Sequence, residues 1–339
     1  MNGKRLRVIG ACAVALTSTQ WSVAESVPEV ARVADAAVVP VPVVAPVPVV
    51  AAAEDLTEIV VEAPEPRYVA PTRRDRIGRI WAPVYINEKG PFRLVLDTGA
   101  SRSGIIARVA TALGIEPDAA AAVRLHGVTG IRVVPTVLTD SLRVGDVLLK
   151  GSRLPIIEDA LGGAEGILGN EGLGDRRVLI DFRHDLIIIS RSHLQRAAQG
   201  FRTIPFTLER GRLLVAEVRI GPVGAKAIID TGAQSTVANL ALRDALTRRH
   251  DREPATPDSI EGVTKDIQEG EWRQVPAIEF GPIEIQIQHM TFADASIFGY
   301  WKLGNEPTVL IGMDALGTLD TLIIDYRRRE LQLLMRNES

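Results

Sequence analysis

Two stretches decide how this chain folds: Phe92-Arg93-Leu94-Val95-Leu96-Asp97-Thr98-Gly99-Ala100 and Ala225-Lys226-Ala227-Ile228-Ile229-Asp230-Thr231-Gly232-Ala233. Each is an apolar run rich in β-branched and aliphatic residues that ends in the same tetrapeptide. Upstream, each is preceded by a second strand pattern and a short turn. Arg79 to Ile86 leads through Asn87-Glu88-Lys89-Gly90 in one case, and Leu213 to Ile220 through Gly221-Pro222-Val223-Gly224 in the other. Strand, turn and strand read as a hairpin, so the sequence predicts two hairpins with one ending.

The correspondence continues downstream, which is the signature of an internal repeat. Asp97 and Asp230 are 133 residues apart, Gly127-Val128-Thr129 and Gly262-Val263-Thr264 are 135 apart, and Gly145 and Gly281 are 136 apart. Ile167-Leu168-Gly169 and Leu310-Ile311-Gly312 differ by 143, and Ile180-Asp181-Phe182 and Ile324-Asp325-Tyr326 by 144. The order is kept while the offset grows as loop insertions would make it grow. At ordinary residue frequencies one chance Asp-Thr-Gly in this length has odds of roughly 6%, and two have odds well below about 1%. The chain is therefore expected to hold two copies of one unit, residues 75–200 and 201–339.

These paired motifs resemble the aspartic proteases, and the retropepsin-like branch more than the pepsin branch, over about Arg79 to Leu334. The resemblance implies an all-β, tandem retropepsin-like acid protease fold, with two pseudo-symmetric barrel-like halves and short helices. Retropepsins are symmetric dimers with one Asp-Thr-Gly loop per subunit, so this chain resembles such a dimer fused, able to form its site as a monomer. Amide hydrolysis without a metal or covalent intermediate needs a positioned water, a base and an acid. Two close carboxylates share one proton and supply both. Asp97 and Asp230 are the expected catalytic pair.

The resemblance assigns supporting roles around them. Thr98 and Thr231 would cross the pseudo-dyad to bond the opposite loop, and Gly99 and Gly232 would clear space between the loops. Ile167-Leu168-Gly169 and Leu310-Ile311-Gly312 would pack behind. Ala100 and Ala233 lack the hydroxyl that lowers a catalytic carboxyl pKa in other members, which predicts activity nearer neutral pH. Ser101 against Gln234 predicts some asymmetry between the two aspartates. Gly127-Val128-Thr129-Gly130 and Gly262-Val263-Thr264 fall where the family places flaps, with Val128, Ile131, Val263 and Ile267 as expected apolar subsites. His126 reads as an exposed turn histidine.

Composition bounds the rest. The chain has 339 residues, 46% hydrophobic, with a net charge of -3 and one cysteine. That supports real cores and argues against a nucleic-acid partner, which would call for a basic excess. Residues 1–24 have a secretory signal layout: Lys4, Arg5 and Arg7, an apolar run from Val8 to Leu16, then Ser22-Val23-Ala24. Nine apolar residues span roughly 14 Å as a helix, too short for an anchor. Removing this leader would take away the only cysteine, Cys12, and three cations, so neither a disulfide nor a thiol nucleophile is expected.

Residues 25–74 hold eight of the twenty prolines and read as an extended linker or stalk; an inhibitory pro-segment is the other reading. The five histidines lack metal-ligand spacing, so neither a metal nor another cofactor is expected. The functional expectation is a periplasmic aspartic endopeptidase cutting extended polypeptides, as in limited processing of a periplasmic or membrane-anchored protein. The competing reading is a non-catalytic peptide-binding module on the same fold.

Overall fold

The computed structural model describes residues 80–145, 147–210, 212–247 and 255–336, with the backbone of the short strands Arg7–Ala11, Ala15–Leu16 and Tyr68–Pro71. Most of the expected leader and stalk lies outside the described residues. Tyr68–Pro71, at the end of the Pro-rich block, pairs antiparallel with Leu186–Arg191. Its Tyr, Val and Ala suit a strand, and the proline sits at its terminus, where a missing N–H is tolerated.

The two predicted hairpins form, each with turn chemistry its residues dictate. Trp81–Ile86 pairs with Lys89–Leu96 around Asn87 and Glu88, both at positive φ, as a two-residue hairpin of the mirror-image type requires. In the second half Leu213–Ile220 pairs with Val223–Ile229 around Gly221-Pro222, and Gly221 supplies the positive φ. Strand alternation then buries one face: Ala82, Val84 and Ile86 are inside, and so are Val218 and Ile220.

In the first half the sheet closes on itself. Ile131–Val144 pairs with Trp81–Ile86 on one side and Val147–Ile157 on the other. The circuit continues through Gly104–Ile106 and Gly166–Leu168 back to Lys89–Leu96, giving a closed six-strand barrel. The second half repeats the central step. Each strand that leads into an Asp-Thr-Gly loop pairs in parallel with the strand of the later motif, Leu96 opposite Leu168 and Ile229 opposite Ile311. Short helices, Ala107–Leu113, Leu240–Thr247, Ser296–Tyr300 and Met313–Leu316, fill the connections.

The halves meet in one antiparallel sheet. Arg176–Asp181 of the first pairs with Leu319–Asp325 of the second, flanked by Leu186–Arg191 and by Glu330–Met335, which in turn pairs with Arg202–Glu209. Leu179 stands directly opposite Ile323, its counterpart at the offset of 144. The pseudo-two-fold axis therefore passes through this pair, and neither half can slide without breaking the equivalence. The cores do not divide as the halves do, since a smaller cluster around Leu213, Val237 and Phe298 of the second half also takes in Val128 of the first. One large cluster of buried side chains runs through both, including Leu94, Ile167 and Ile180 from the first and Ile229, Leu316 and Ile324 from the second. Strands that cross between halves carry apolar residues on the shared face, so the interface is core.

Ile180 and Ile324 are fully buried in that sheet. Ile180→Ala or Ile324→Ala should each cost about 2–5 kcal/mol, and denaturant unfolding of either variant should remain a single transition, because the largest buried cluster is shared by both halves. Two resolved transitions would contradict the shared core.

Candidate active site

Asp97 and Asp230 come together at the pseudo-two-fold axis, each completely buried. Their backbones are fixed from behind by the parallel strands, with Asp97 N–H donating to Leu168 O and Asp230 N–H to Ile311 O, both at 3.0 Å. The loops that follow turn tightly under the carboxylates. Asp97 Oδ1 accepts from Gly99 N–H at 2.9 Å and Ala100 N–H at 2.8 Å, and Asp230 Oδ1 accepts from Gly232 N–H at 2.8 Å and Ala233 N–H at 3.1 Å. Each inner oxygen thus accepts from the glycine and alanine N–H groups of its own loop. Ser101 lines a cavity beside its loop, and the carbonyl of Gln234 accepts from Asp314 N–H.

The two loops are locked by an exchange of threonines. Thr98 Oγ1 donates to Ile229 O at 2.7 Å, and Thr231 Oγ1 donates to Leu96 O at 2.6 Å. Each hydroxyl oxygen also accepts the opposite threonine's N–H, at 3.1 and 3.2 Å. The glycines have a specific reason to be there. A Cβ on Gly99 would lie 2.7 Å from Asp230 Oδ2, and one on Gly232 would overlap the Asp97 carboxyl. Gly169 and Gly312 do the same in the layer behind, where a Cβ would meet the backbone of Arg102 and of Ser235.

A second pair of polar contacts escaped the sequence reading. Ser103 Oγ accepts Gly169 N–H at 3.0 Å, while Ser103 N–H donates to Glu171 Oε1 at 2.7 Å. In the other half Thr236 Oγ1 accepts Gly312 N–H at 3.2 Å and donates to Asp314 Oδ1 at 2.7 Å. Ser103 and Thr236 differ by 133 and Glu171 and Asp314 by 143, the same offsets as the motifs they join. Pairing hydroxyl with hydroxyl and acid with acid at those offsets was the signal available. They tie each catalytic loop to the strand behind it, and burial pushes the Glu171 and Asp314 carboxyls up.

The Asp97 carboxyl is held well above the usual carboxylate range. Burial is the largest cause, followed by the charge of Asp230 beside it; the N–H groups of Ala100 and Gly99 pull the other way. Asp97 Oδ2 meets no donor apart from the neighbouring Asp230 carboxyl. Two buried carboxyls so placed hold one proton between them. Such an arrangement can deprotonate a water and protonate a carbonyl oxygen. Among the described residues no group of three or more His, Cys, Asp or Glu side chains gathers to hold a metal ion.

Both predicted flaps are hairpins, and their tips touch each other. Asp118–His126 and Ile131–Val144 carry the loop Gly127 to Gly130, while Thr256–Gly262 and Ile267–Arg273 carry the loop from Val263 to Asp266. Gly262 N–H donates to Thr129 Oγ1 at 3.1 Å, and Thr129 Oγ1 lies 3.4 Å from Thr264 Oγ1. The subsite assignments change. Val128 and Val263 are fully buried, Val128 among Ala233, Ile297 and Phe298 of the second half, because an apolar tip side chain closes onto core rather than solvent. Ile131 and Ile267 are 56% and 60% exposed.

His126 is not an exposed turn residue. It is only 9% exposed, its ring 4.1 Å from that of Tyr300, and burial lowers its pKa. Tyr300, from the other half, had no motif to reveal it. The leading strand of each flap turns one edge away from its hairpin partner, and both of these outer edges carry a strand of the chain's own N-terminal segment. Arg7–Ala11 pairs in parallel with Thr256–Gly262, and Ala15–Leu16 pairs antiparallel with Asp118–His126.

A family model described as aspartyl protease matches residues 82–171 and 216–315, one match in each half. No curated protein matches the chain.

Two outcomes follow from this geometry. Thr98→Ala leaves the Thr231 N–H and Ile229 carbonyl without their buried partner and should cost about 1–3 kcal/mol, whereas Thr98→Ser should retain most of the stability, as read by denaturant unfolding. The raised Asp97 pKa also has a sign. The folded protein keeps a proton that the unfolded chain releases above about pH 4, so this contribution to stability falls as pH rises from there through the folded pKa. Asp97→Asn should therefore raise Tm at pH 7, by about 2–4 °C for each kcal/mol recovered, and leave it nearly unchanged at pH 3.

Proposed function

Because the chain belongs to the aspartyl protease family, we propose that it is an active endopeptidase whose Asp97 and Asp230 hydrolyse peptide bonds of extended polypeptides. The observation that carries this reading is the paired burial of the two carboxyls with every supporting element in duplicate. One carboxylate takes a proton from the attacking water while the other, protonated, donates to the carbonyl oxygen; the resulting tetrahedral species collapses as the amine leaves with a proton. The Gly99, Ala100, Gly232 and Ala233 N–H groups hold the inner oxygens, leaving the outer ones to the reactants.

The outer edges of the flap strands suit a polypeptide bound as an added strand, whose backbone groups give affinity independent of sequence. Flap closure would exclude water. The strands Arg7–Ala11 and Ala15–Leu16 already use both edges in this way, which supports an extended ligand. The leader-like N-terminus is the basis for a periplasmic location. Flap tips that touch and the proline-rich composition of residues 25–74 favour limited processing of a periplasmic or membrane-anchored protein over bulk degradation. One chain supplies both carboxyls, so the monomer is the active unit.

The test is cleavage of unfolded polypeptide substrates by the wild type beside Asp97→Asn and Asp230→Asn. Each substitution should lower kcat by at least about 10²–10⁴, with peptide binding retained. With no hydroxyl donor at Ala100 or Ala233, the activity maximum should lie above about pH 4, the ordinary aspartate range. Equal inertness of all three proteins, with binding intact, would instead identify a peptide-binding module.

A further inference from the structure

One end of the cleft is lined by guanidinium groups that the chemistry above does not use. A cavity of about 440 Å³ opens between the first catalytic loop, the strand Val147–Ile157, the turn before Leu213 and the helix Ser296–Tyr300. Arg102, Arg153, Arg210 and Arg212 all line it, with Glu171 as its one carboxylate. Glu171 is a single carboxylate against four guanidinium groups, and its Oε1 accepts from Ser103 N–H. Arg153 gives one Nη1 to Asp118 at 3.2 Å, and Arg212 gives one Nη1 to the Asn170 carbonyl at 3.1 Å. Arg102 and Arg210 are exposed, and the cavity as a whole keeps a cationic excess.

The pseudo-two-fold does not repeat this feature. At the offsets of 133 and 136 the positions of Arg102 and Arg153 become Ser235 and His289, and His289 packs on Trp272. The cationic cavity therefore marks one end of an otherwise symmetric cleft. Its place along a bound strand can be read from two contacts. Tyr300 lines the cavity and stacks on His126 at the flap tip, while Arg153 bonds Asp118 at the base of the same flap strand. The segment paired there runs from Ala15, opposite His126, to Leu16, opposite Leu125, and so from tip to base. A ligand lying in that sense brings its carboxyl-side residues to the arginines.

We propose that this cavity is an anion-recognising subsite that takes a carboxylate on the carboxyl side of the scissile bond, from an Asp or Glu side chain or from the chain terminus. The proposal rests on the protease reading and gives it a direction. Guanidinium groups pair with carboxylates through charge-assisted, often two-pronged hydrogen bonds, so an acid should be preferred over its neutral amide isostere at one position and not at every position. The mirror-related end of the cleft should show no such preference.

A synthetic decapeptide library containing Glu and Gln, with free-acid and amidated C-termini, tests this on the full-length chain. Wild-type protein should cut sequences with Glu at one carboxyl-side position about 10-fold faster than the Gln isostere, as expected for one charge-assisted pair. Arg102→Gln with Arg210→Gln should reduce that ratio to about 2-fold or less, the residue left by Arg153 and Arg212. A bias that follows the free C-terminus instead assigns the cavity to the terminal carboxylate.

Binding of matched Glu and Gln peptides to Asp97→Asn protein, read by fluorescence anisotropy, separates this from catalysis. A Glu bias in binding without wild-type cleavage leaves the subsite standing and removes the protease reading. Three results overturn the subsite: no bias in binding, a bias confined to the amino side, or a bias that survives both substitutions.

Discussion

The structure depends on one exchange: Thr98 gives its hydroxyl proton to the Ile229 carbonyl while Thr231 gives its own to the Leu96 carbonyl. Without it, two loops carrying buried carboxyls would have every electrostatic reason to separate. A carboxyl in such surroundings resists ionisation, and a second one nearby resists it more. The four threonine contacts, the clearance left by Gly99 and Gly232 and the N–H groups beneath each Oδ1 hold the pair together, and in consequence Asp97 keeps its proton at unusually high pH. A proton retained between two carboxyls is what water-activating acid and base chemistry requires. The destabilising feature and the useful one are the same.

Symmetry is distributed unevenly across the molecule. Near the axis it is nearly complete: Leu179 faces Ile323, the inner oxygens have matching donors, and Ser103 with Glu171 repeats as Thr236 with Asp314. Away from the axis it decays. The first flap tip rests His126 on Tyr300, while the arginines gather at one end. A dimer of identical subunits could not make that difference. Fusing the halves into one chain frees outlying positions to diverge while the axis stays constrained by the carboxyls it must hold.

Much of this was legible as repeated sequence. The Asp-Thr-Gly-Ala motifs, the hairpins before them and the apolar Gly-ended strands after them set the order of elements, because each motif demands one backbone geometry. Val128 and Val263 show where that reading stops. An apolar residue at a hairpin tip is suited equally to a ligand pocket and to a core, and only the closure of the tips decided for the core. Likewise His126 has the surroundings of an exposed turn in sequence, yet the ring of Tyr300, from the other half, covers it.

By itself, then, the sequence determined the duplication, the two carboxyls and the glycine and threonine frame that brings them together, since these are local requirements of loops that must approach closely. Tertiary structure decided what depends on distant partners. It joined the halves through one large buried cluster, because the paired strands Arg176–Asp181 and Leu319–Asp325 bury apolar faces from each. It also assembled a cationic cavity from Arg102, Arg153, Arg210 and Arg212, residues on separate loops and a strand that share no motif and meet only when the barrel and the second half close around the cleft.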